Sequence, residues 1–277
     1  EDDAEAVRGF EKAARSGYPR AQMLLGECYE HGYGVEQDED RAAALYQSAH
    51  RRGYAPATCA LGVCYEFGDG VEMDKEKAVS LYREAAEKGN VRAQCCLGYC
   101  CYQGIGVEED DREAVRWFEK AAQSGYPRAQ MLLGECYEHG YGVAVDREKA
   151  ASCYRLAAES GNTRAQCCLG YCYYQGIGVE EDDREAVRWF EKAVQSGYPR
   201  AQQLLGECYE HGYGVEPDQE RALSLYRAAH ESGYAGGTCA LGLCYELGRG
   251  VERDVQEAAR LYRQAAEHGS ARAQCNL

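Results

Sequence analysis

Basic residues and long apolar runs are scarce in this sequence, and each scarcity excludes a class of function. Lysine and arginine number 31 against 46 aspartates and glutamates, which gives a formal net charge of −15. A chain this acidic repels nucleic-acid phosphates and anionic membrane surfaces, so we expect neither as a ligand. No apolar run approaches the roughly 20 residues that a membrane span requires, so we expect no membrane insertion.

The sequence also has no initiator methionine and no signal-peptide pattern, and it contains few prolines. The first two absences predict that the sequence starts at an artificial or processing boundary. Proline contributes only 5 residues, whereas glycine, tyrosine and cysteine contribute 32, 23 and 16. Hydrophobic residues make up 45% and charged residues 28% of the chain, which excludes a disordered or fibrous protein.

An exact internal repeat of 36 residues runs through the whole sequence. The string Leu-Gly-x-Cys recurs without insertion or deletion at Leu25, Leu61, Leu97, Leu133, Leu169, Leu205 and Leu241. A Gly-x-Gly-Val segment, and an aspartate three residues after its valine, keep the same step. The sequence therefore predicts one continuous array over 1–277, with a partial repeat 1–20, seven full repeats and a partial repeat 273–277. The full repeats are 21–56, 57–92, 93–128, 129–164, 165–200, 201–236 and 237–272.

Each repeat is predicted to form two helices. The first carries four residues on one helical face, which in the first repeat are Ala21, Leu25, Cys28 and Tyr29. The second helix begins at the aspartate, a favoured N-cap. In some repeats a glutamate three residues later predicts a capping box, at Asp2/Glu5, Asp110/Glu113, Asp182/Glu185 and Asp254/Glu257. Because one helix pair cannot bury its apolar face alone, neighbouring repeats must complete the core.

These motifs combine into Ala-x-x-x-Leu-Gly-x-x-Tyr-x-x-Gly-x-Gly-Val-x-x-Asp, followed by Ala-x-x-x-Tyr/Phe-x-x-Ala-x-x-x-Gly. The combined pattern resembles the Sel1-like repeat family, a relative of the tetratricopeptide repeats. Two departures are Cys101, where sister repeats have Tyr29 or Tyr173, and Gly237, which replaces an opening alanine. The resemblance implies an all-α fold, a right-handed α/α solenoid that binds proteins as a scaffold or adaptor. A fold alone does not fix a function.

The 16 cysteines are interpreted as reduced and buried. Some cysteine-rich bacterial relatives bridge helix pairs through cysteines near the end of the second helix, where this sequence has alanines. Instead, one cysteine per repeat lies on the apolar face of the first helix: Cys28, Cys64, Cys100, Cys136, Cys172, Cys208 and Cys244. Equivalent positions in packed helices lie about 9–10 Å apart, beyond the reach of a disulfide. Reduced thiols predict a cytoplasmic protein, with export from an anaerobic bacterium as the alternative.

The sequence predicts neither a metal site nor a cofactor. Two cysteine pairs have i, i+4 spacing, Cys96/Cys100 and Cys168/Cys172. Zinc normally takes four ligands, and no histidine column completes these pairs.

No catalytic site is predicted either. Three histidines recur in Glu-His-Gly-Tyr-Gly, but they arise by duplication and no nucleophile column accompanies them. Two alternatives stay open. One is a hydrolase acting on cell-wall peptides or β-lactams, as has been suggested for some family relatives, and the other is an engineered or idealised repeat protein without a natural partner.

The resemblance to tetratricopeptide repeats places the first helices on the concave side of the solenoid, where a protein or peptide would bind. Tyrosines occupy this groove in the third and fifth repeats, at Tyr99, Tyr102, Tyr171 and Tyr174. Glutamates and histidines occupy it in the first, fourth and sixth, at Glu27, Glu30, His31, Glu135, Glu138, His139, Glu207, Glu210 and His211. Arginines border it at Arg20, Arg92, Arg128, Arg164, Arg200 and Arg272. The same alignment also places Cys95, Met131 and Cys167 in the groove.

These tyrosines are not needed for the predicted core, which leucine, alanine and the Tyr/Phe column of the second helix already fill. Exposed tyrosine with charged rims is typical of an interface. The glutamates favour a partner with basic and apolar residues. The chain opens inside a second helix and stops inside a first one, which predicts either a slice of a longer array or a chain whose ends pack against something. Such open ends could self-associate end to end.

Overall fold

A computed structural model describes residues 2–269 and 273–274, except for the side chain of Asp2. All regular structure in these residues is helical, so the predicted all-α solenoid of helix pairs is confirmed. None of the described helices has both the length and the apolar character that a membrane crossing needs. The helices are α1 (Asp2–Arg15), α2 (Pro19–His31), α3 (Glu39–His50), α4 (Ala55–Phe67), α5 (Lys75–Glu87), α6 (Val91–Gln103), α7 (Asp111–Gln123), α8 (Pro127–His139), α9 (Arg147–Glu159), α10 (Thr163–Gln175), α11 (Asp183–Gln195), α12 (Pro199–His211), α13 (Gln219–Glu231), α14 (Ala235–Leu247) and α15 (Val255–Glu267).

The chain divides into two compact units. Unit 1 covers residues 1–145 and contains α1–α8, and unit 2 covers residues 146–277 and contains α9–α15. The even-numbered helices α2 to α14 are the first helices of the repeats, and the odd-numbered helices α3 to α15 are the second. Arg272 and the segment 275–277, on which the predicted arginine border and the open end partly rest, lie outside the described residues.

Each second helix of a full repeat begins at the predicted aspartate, but the capping boxes form only in part. The side chain of Asp110 accepts the N–H of Glu113 at 2.9 Å, as expected of an N-cap. The N–H of Asp110 donates to the carbonyl of Cys101 rather than to Glu113. The Glu113 carboxylate accepts hydrogen bonds from Arg83 and Trp117, which lower the pKa of Glu113. The side chain of Asp2, in the box predicted with Glu5, is outside the described part.

The two helices of a repeat meet where an aromatic ring lies on a glycine. Phe118 of α7 is fully buried, and a Cβ atom on Gly98 of α6 would lie 2.7 Å from its ring. Only glycine permits this approach. The predicted Tyr/Phe column forms the core in every full repeat, with all its members buried: Tyr46, Tyr82, Phe118, Tyr154, Phe190, Tyr226 and Tyr262.

The cysteine column lies in the same core. All seven members, from Cys28 to Cys244, are buried, and every described cysteine is free. Burial raises the pKa of Cys100 and of Cys208 to about 12. Within the described residues, no group of histidines, cysteines and carboxylates could hold a metal ion.

Alkylation of the native protein should therefore spare the column. At pH 8 a thiol with a raised pKa holds less thiolate, which is the reactive form, so Cys100 and Cys208 should react far more slowly than after unfolding. Cys96 is only half-buried, and a hydrogen bond from Cys59 lowers its pKa, so it should react early. Peptide mapping after timed iodoacetamide treatment measures this order. Equal native and unfolded rates at Cys100 would contradict the described core.

Candidate interaction surface

The predicted tyrosines of the third repeat lie on α6, and one of them joins a row of aromatic rings in unit 1. Tyr102 contacts Tyr141, which lies in the loop after α8, with ring centroids 5.5 Å apart and an interplanar angle of 56°. Tyr141 in turn contacts His139, at 5.4 Å and 51°. We call Tyr102, Tyr141 and His139 row A.

The same arrangement occurs in unit 2. Tyr174 of α10 contacts Tyr213, in the loop after α12, at 5.7 Å and 58°. Tyr213 contacts His211 at 5.4 Å and 47°, and Tyr171 lies 6.5 Å from Tyr174. We call Tyr174, Tyr213 and His211 row B.

The exposed ring surface of each row comes from the loop tyrosine and from the histidine at the end of the helix, because His139 and His211 are both exposed. Tyr141 is 38% exposed and Tyr213 is 39% exposed, whereas Tyr102 and Tyr174 are half-buried. Burial is the main reason that the pKa of Tyr102 and of Tyr174 rises to about 12. Sequence reasoning does not identify the loop tyrosines, because the Glu-His-Gly-Tyr-Gly segments stand out in the sequence only for their histidines.

The prediction that the helix tyrosines are not needed for the core is wrong in unit 2. Tyr171 and Tyr174 pack against the buried cluster that contains Phe190 and Leu205. These side chains support the fold as well as a surface, because part of each ring is removed from water.

Two of the bordering arginines cover tyrosine rings. The guanidinium of Arg128 lies 5.4 Å from the centroid of Tyr99, and that of Arg200 lies 5.4 Å from the centroid of Tyr171. Both distances are within cation–π range. Arg92 and Arg164 are exposed, as is Arg20. The arginine border is thus partly an internal partner of the tyrosines.

One column of predicted glutamates serves the core instead of a free surface. The buried hydroxyl of Tyr226 donates to Glu210 at 2.7 Å, and the hydroxyl of Tyr46 donates to Glu30. Arg249 also pairs with Glu210, whose side chain is only 7% exposed. Glu30 and Glu210 are therefore engaged within the chain. Glu138, in the same column, is half-buried, with His139 at 4.0 Å.

In the column that contains Glu30 and Glu210, the type of residue depends on the core ring of the same repeat. The position of Glu30 and Glu210 holds Tyr102 or Tyr174 in those repeats whose core ring is Phe118 or Phe190, which has no hydroxyl to satisfy. A glutamate thus accompanies a core tyrosine, and a tyrosine accompanies a core phenylalanine. The choice between an aromatic and an acidic surface position follows from this pairing.

The other predicted acidic positions lie closer to the rows. Glu135 and Glu207 are half-buried, and their negative charges contribute to the raised pKa of Tyr102 and Tyr174. Gln203 donates to Glu207 at 2.8 Å. Burial raises the pKa of the half-buried Glu27. Each row thus has a carboxylate nearby.

Three of the residues predicted to line the groove are buried, so their prediction is wrong. The tetratricopeptide alignment gave a partner access to Cys95, Met131 and Cys167, but their exposures are 1%, 5% and 1%. The side chains at these positions point into the packing between helices. His31 is exposed as expected, and it contacts Tyr33 at 5.2 Å.

Helix pairs at a 36-residue step, joined through glycine turns, define an α/α repeat protein. The chain belongs to the Sel1 repeat family, whose model matches residues 19–54, 55–90, 91–126, 127–162, 163–198, 199–234 and 237–270. The resemblance found in the sequence is thereby confirmed. A comparison with curated proteins found no match.

Two solved structures are similar over most of the chain. A protective antigen present in uropathogenic Escherichia coli strains is 35% identical, with a TM-score of 0.82 over 97% of this chain. The present chain spans only 57% of that protein. A Sel1 repeat protein from Oxalobacter formigenes is 30% identical, with a TM-score of 0.79 over 88% of this chain and 96% of its own.

Proposed function

We propose that this chain is a non-enzymatic scaffold that binds a protein or peptide through rows A and B. Sel1 repeat proteins are typically protein-interaction scaffolds. The observation that carries the proposal for this chain is the occurrence of the same half-exposed aromatic row in both units. Core packing alone does not require Tyr141 and Tyr213 to present ring surface to solvent.

The chemistry of the rows indicates the kind of partner. Tyrosine supplies a large contact area with little loss of conformational entropy, which suits it to interfaces. Ring faces and nearby carboxylates both attract cationic groups. A segment with basic and apolar residues fits this surface, and the net charge of −15 would speed its approach.

The same residues support a role without catalysis. His139 and His211 are in contact with tyrosine rings at the ends of their helices, and the buried column thiols of Cys100 and Cys208 have a raised pKa. Neither arrangement provides an activated nucleophile. We further propose that the chain acts in the cytoplasm, where its thiols stay reduced.

Selection from a library of random peptides tests the proposal. The wild-type chain should enrich peptides that combine arginine or lysine with apolar residues. The variant Tyr141→Ile/Tyr213→Ile should lose them, with affinities at least about 10-fold weaker, because interface tyrosines commonly carry about 1 kcal/mol or more. Isoleucine is chosen because the equivalent loops of the third and fifth repeats carry Ile105 and Ile177.

Tyr33→Ile is the matched control, since it makes the same change in the loop of the first repeat. Circular dichroism should show equal helix content in all three proteins. If both isoleucine variants select the same peptides as the wild type, binding does not use the rows. If only acidic peptides are enriched, the inferred chemistry of the partner is wrong.

A further inference from the structure

Rows A and B have closely similar ring geometry and exposure. Their tyrosine pairs differ by 0.2 Å in separation and 2° in angle, and the loop tyrosines differ by 1% in exposure. Each row is flanked by a tyrosine whose ring is covered by an arginine at 5.4 Å. Each row lies within a single unit, so each is a complete site without the other.

This equivalence follows from the sequence. Residues 93–128 and 165–200, which supply the helix tyrosines, differ only at Cys101/Tyr173 and Ala122/Val194. The repeats that follow them both supply a Gly-Glu-Cys-Tyr-Glu-His-Gly-Tyr-Gly segment. Two sites with the same side chains in the same geometry recognise the same chemical motif.

A single row offers a ligand only a small contact surface. Its solvent-facing part is one tyrosine that is about two-fifths exposed and one exposed histidine, beside a half-buried tyrosine and a nearby carboxylate. One cationic side chain with an adjacent apolar residue would cover it. Weak sites of this kind become effective when two of them bind one linked ligand, because the second contact is then intramolecular.

We infer that rows A and B together form a two-site receptor for one partner chain that carries a basic–apolar motif twice. This inference rests on the proposed function. The occupant is a single chain with the motif in tandem. Its positive charge complements the carboxylates beside each row, Glu135 and Glu207.

The first repeat provides an internal comparison. It has the same histidine–tyrosine contact, His31 to Tyr33, at 5.2 Å and 55°. Among the described residues, no tyrosine ring packs on Tyr33, which is 56% exposed. Tyr33 therefore has the loop chemistry of a row without the helix tyrosine, and it serves as the control position.

Calorimetric titration with two synthetic probes tests the inference. The first probe is the peptide acetyl-Gly-Leu-Arg-Leu-Arg-Gly-amide, and the second joins two copies of it through Gly/Ser linkers of graded length. The single peptide should bind at two equivalents per chain. At the best linker length, the tandem peptide should bind at one equivalent, with an affinity about 100-fold or more above the single peptide.

Variants separate this inference from the proposed function. Tyr213→Ile, and separately Tyr141→Ile, should reduce the single peptide to one equivalent and abolish the tandem gain, whereas Tyr33→Ile should change neither. Binding of the single peptide without a tandem gain at any linker length overturns the two-site inference and leaves the proposed function standing. Absence of saturable binding by both peptides overturns the proposed function and this inference with it.

Discussion

Replacing Gly106 with alanine should destabilise the chain by about 2–5 kcal/mol. Gly106 has a φ of +64°, and a Cβ atom there would overlap the backbone carbonyl of Lys75, in the first turn of α5. An L-residue in this conformation costs roughly 1–2 kcal/mol, and overpacking typically adds about 1–3 kcal/mol. Because the neighbour is backbone, it cannot rotate away. Urea unfolding followed by circular dichroism measures the loss.

The matched control is Gly125→Ala. Gly125 also has a positive φ, +78°, but a Cβ atom there would have no other atom within 4 Å apart from its chain neighbours. It should cost only the conformational part, roughly 1–2 kcal/mol. If the two variants prove equally stable, the close contact between the loop that contains Gly106 and α5 does not exist as described.

Removing the hydroxyl of Tyr82 should cost about 1–3 kcal/mol, through its bond to Glu66. Tyr82 is fully buried, and its hydroxyl donates to Glu66 at 2.6 Å. A hydrogen bond to a charged group contributes about 1.5–3 kcal/mol, and its loss leaves the carboxylate without its donor. Tyr82→Phe, Glu66→Gln and the double variant form a cycle whose coupling energy isolates this bond.

The neighbouring Tyr65 gives the control. Its hydroxyl accepts a hydrogen bond from Lys77 at an exposed site, so Tyr65→Phe should change stability by no more than about 0.5 kcal/mol. Additive effects of the Tyr82 and Glu66 changes would contradict the pairing of glutamate with a core tyrosine.

The period of the repeat, together with the residues at its turns and helix caps, was sufficient to predict the helices. Leu25, Gly26 and Tyr46 recur at one step, and a step of 36 residues with a glycine turn and an aspartate cap has few structural solutions. The close approach of two helices at Gly237 was not visible in the sequence. A Cβ atom there would overlap that of Ala229, which is a contact between two helices.

The surface was predicted less well than the core, for a physical reason. Glu30 and Glu210 looked like free acids because their partners, Tyr46 and Tyr226, lie 16 residues further along on another helix. The matched change from Glu/Tyr to Tyr/Phe across repeats was the available signal. Tyr141 was missed because its row forms only when the loop of one repeat reaches the helix of the repeat before it.

Photo-crosslinking from the loops tests the central claim most directly. p-Benzoylphenylalanine would replace Tyr141, Tyr213 and, as the control, Tyr33, and each protein would be irradiated with the peptides that the library selection enriches. Mass spectrometry should find crosslinked peptide at positions 141 and 213 and little at position 33. Crosslinking that is equal at all three positions, or confined to position 33, would contradict binding at rows A and B.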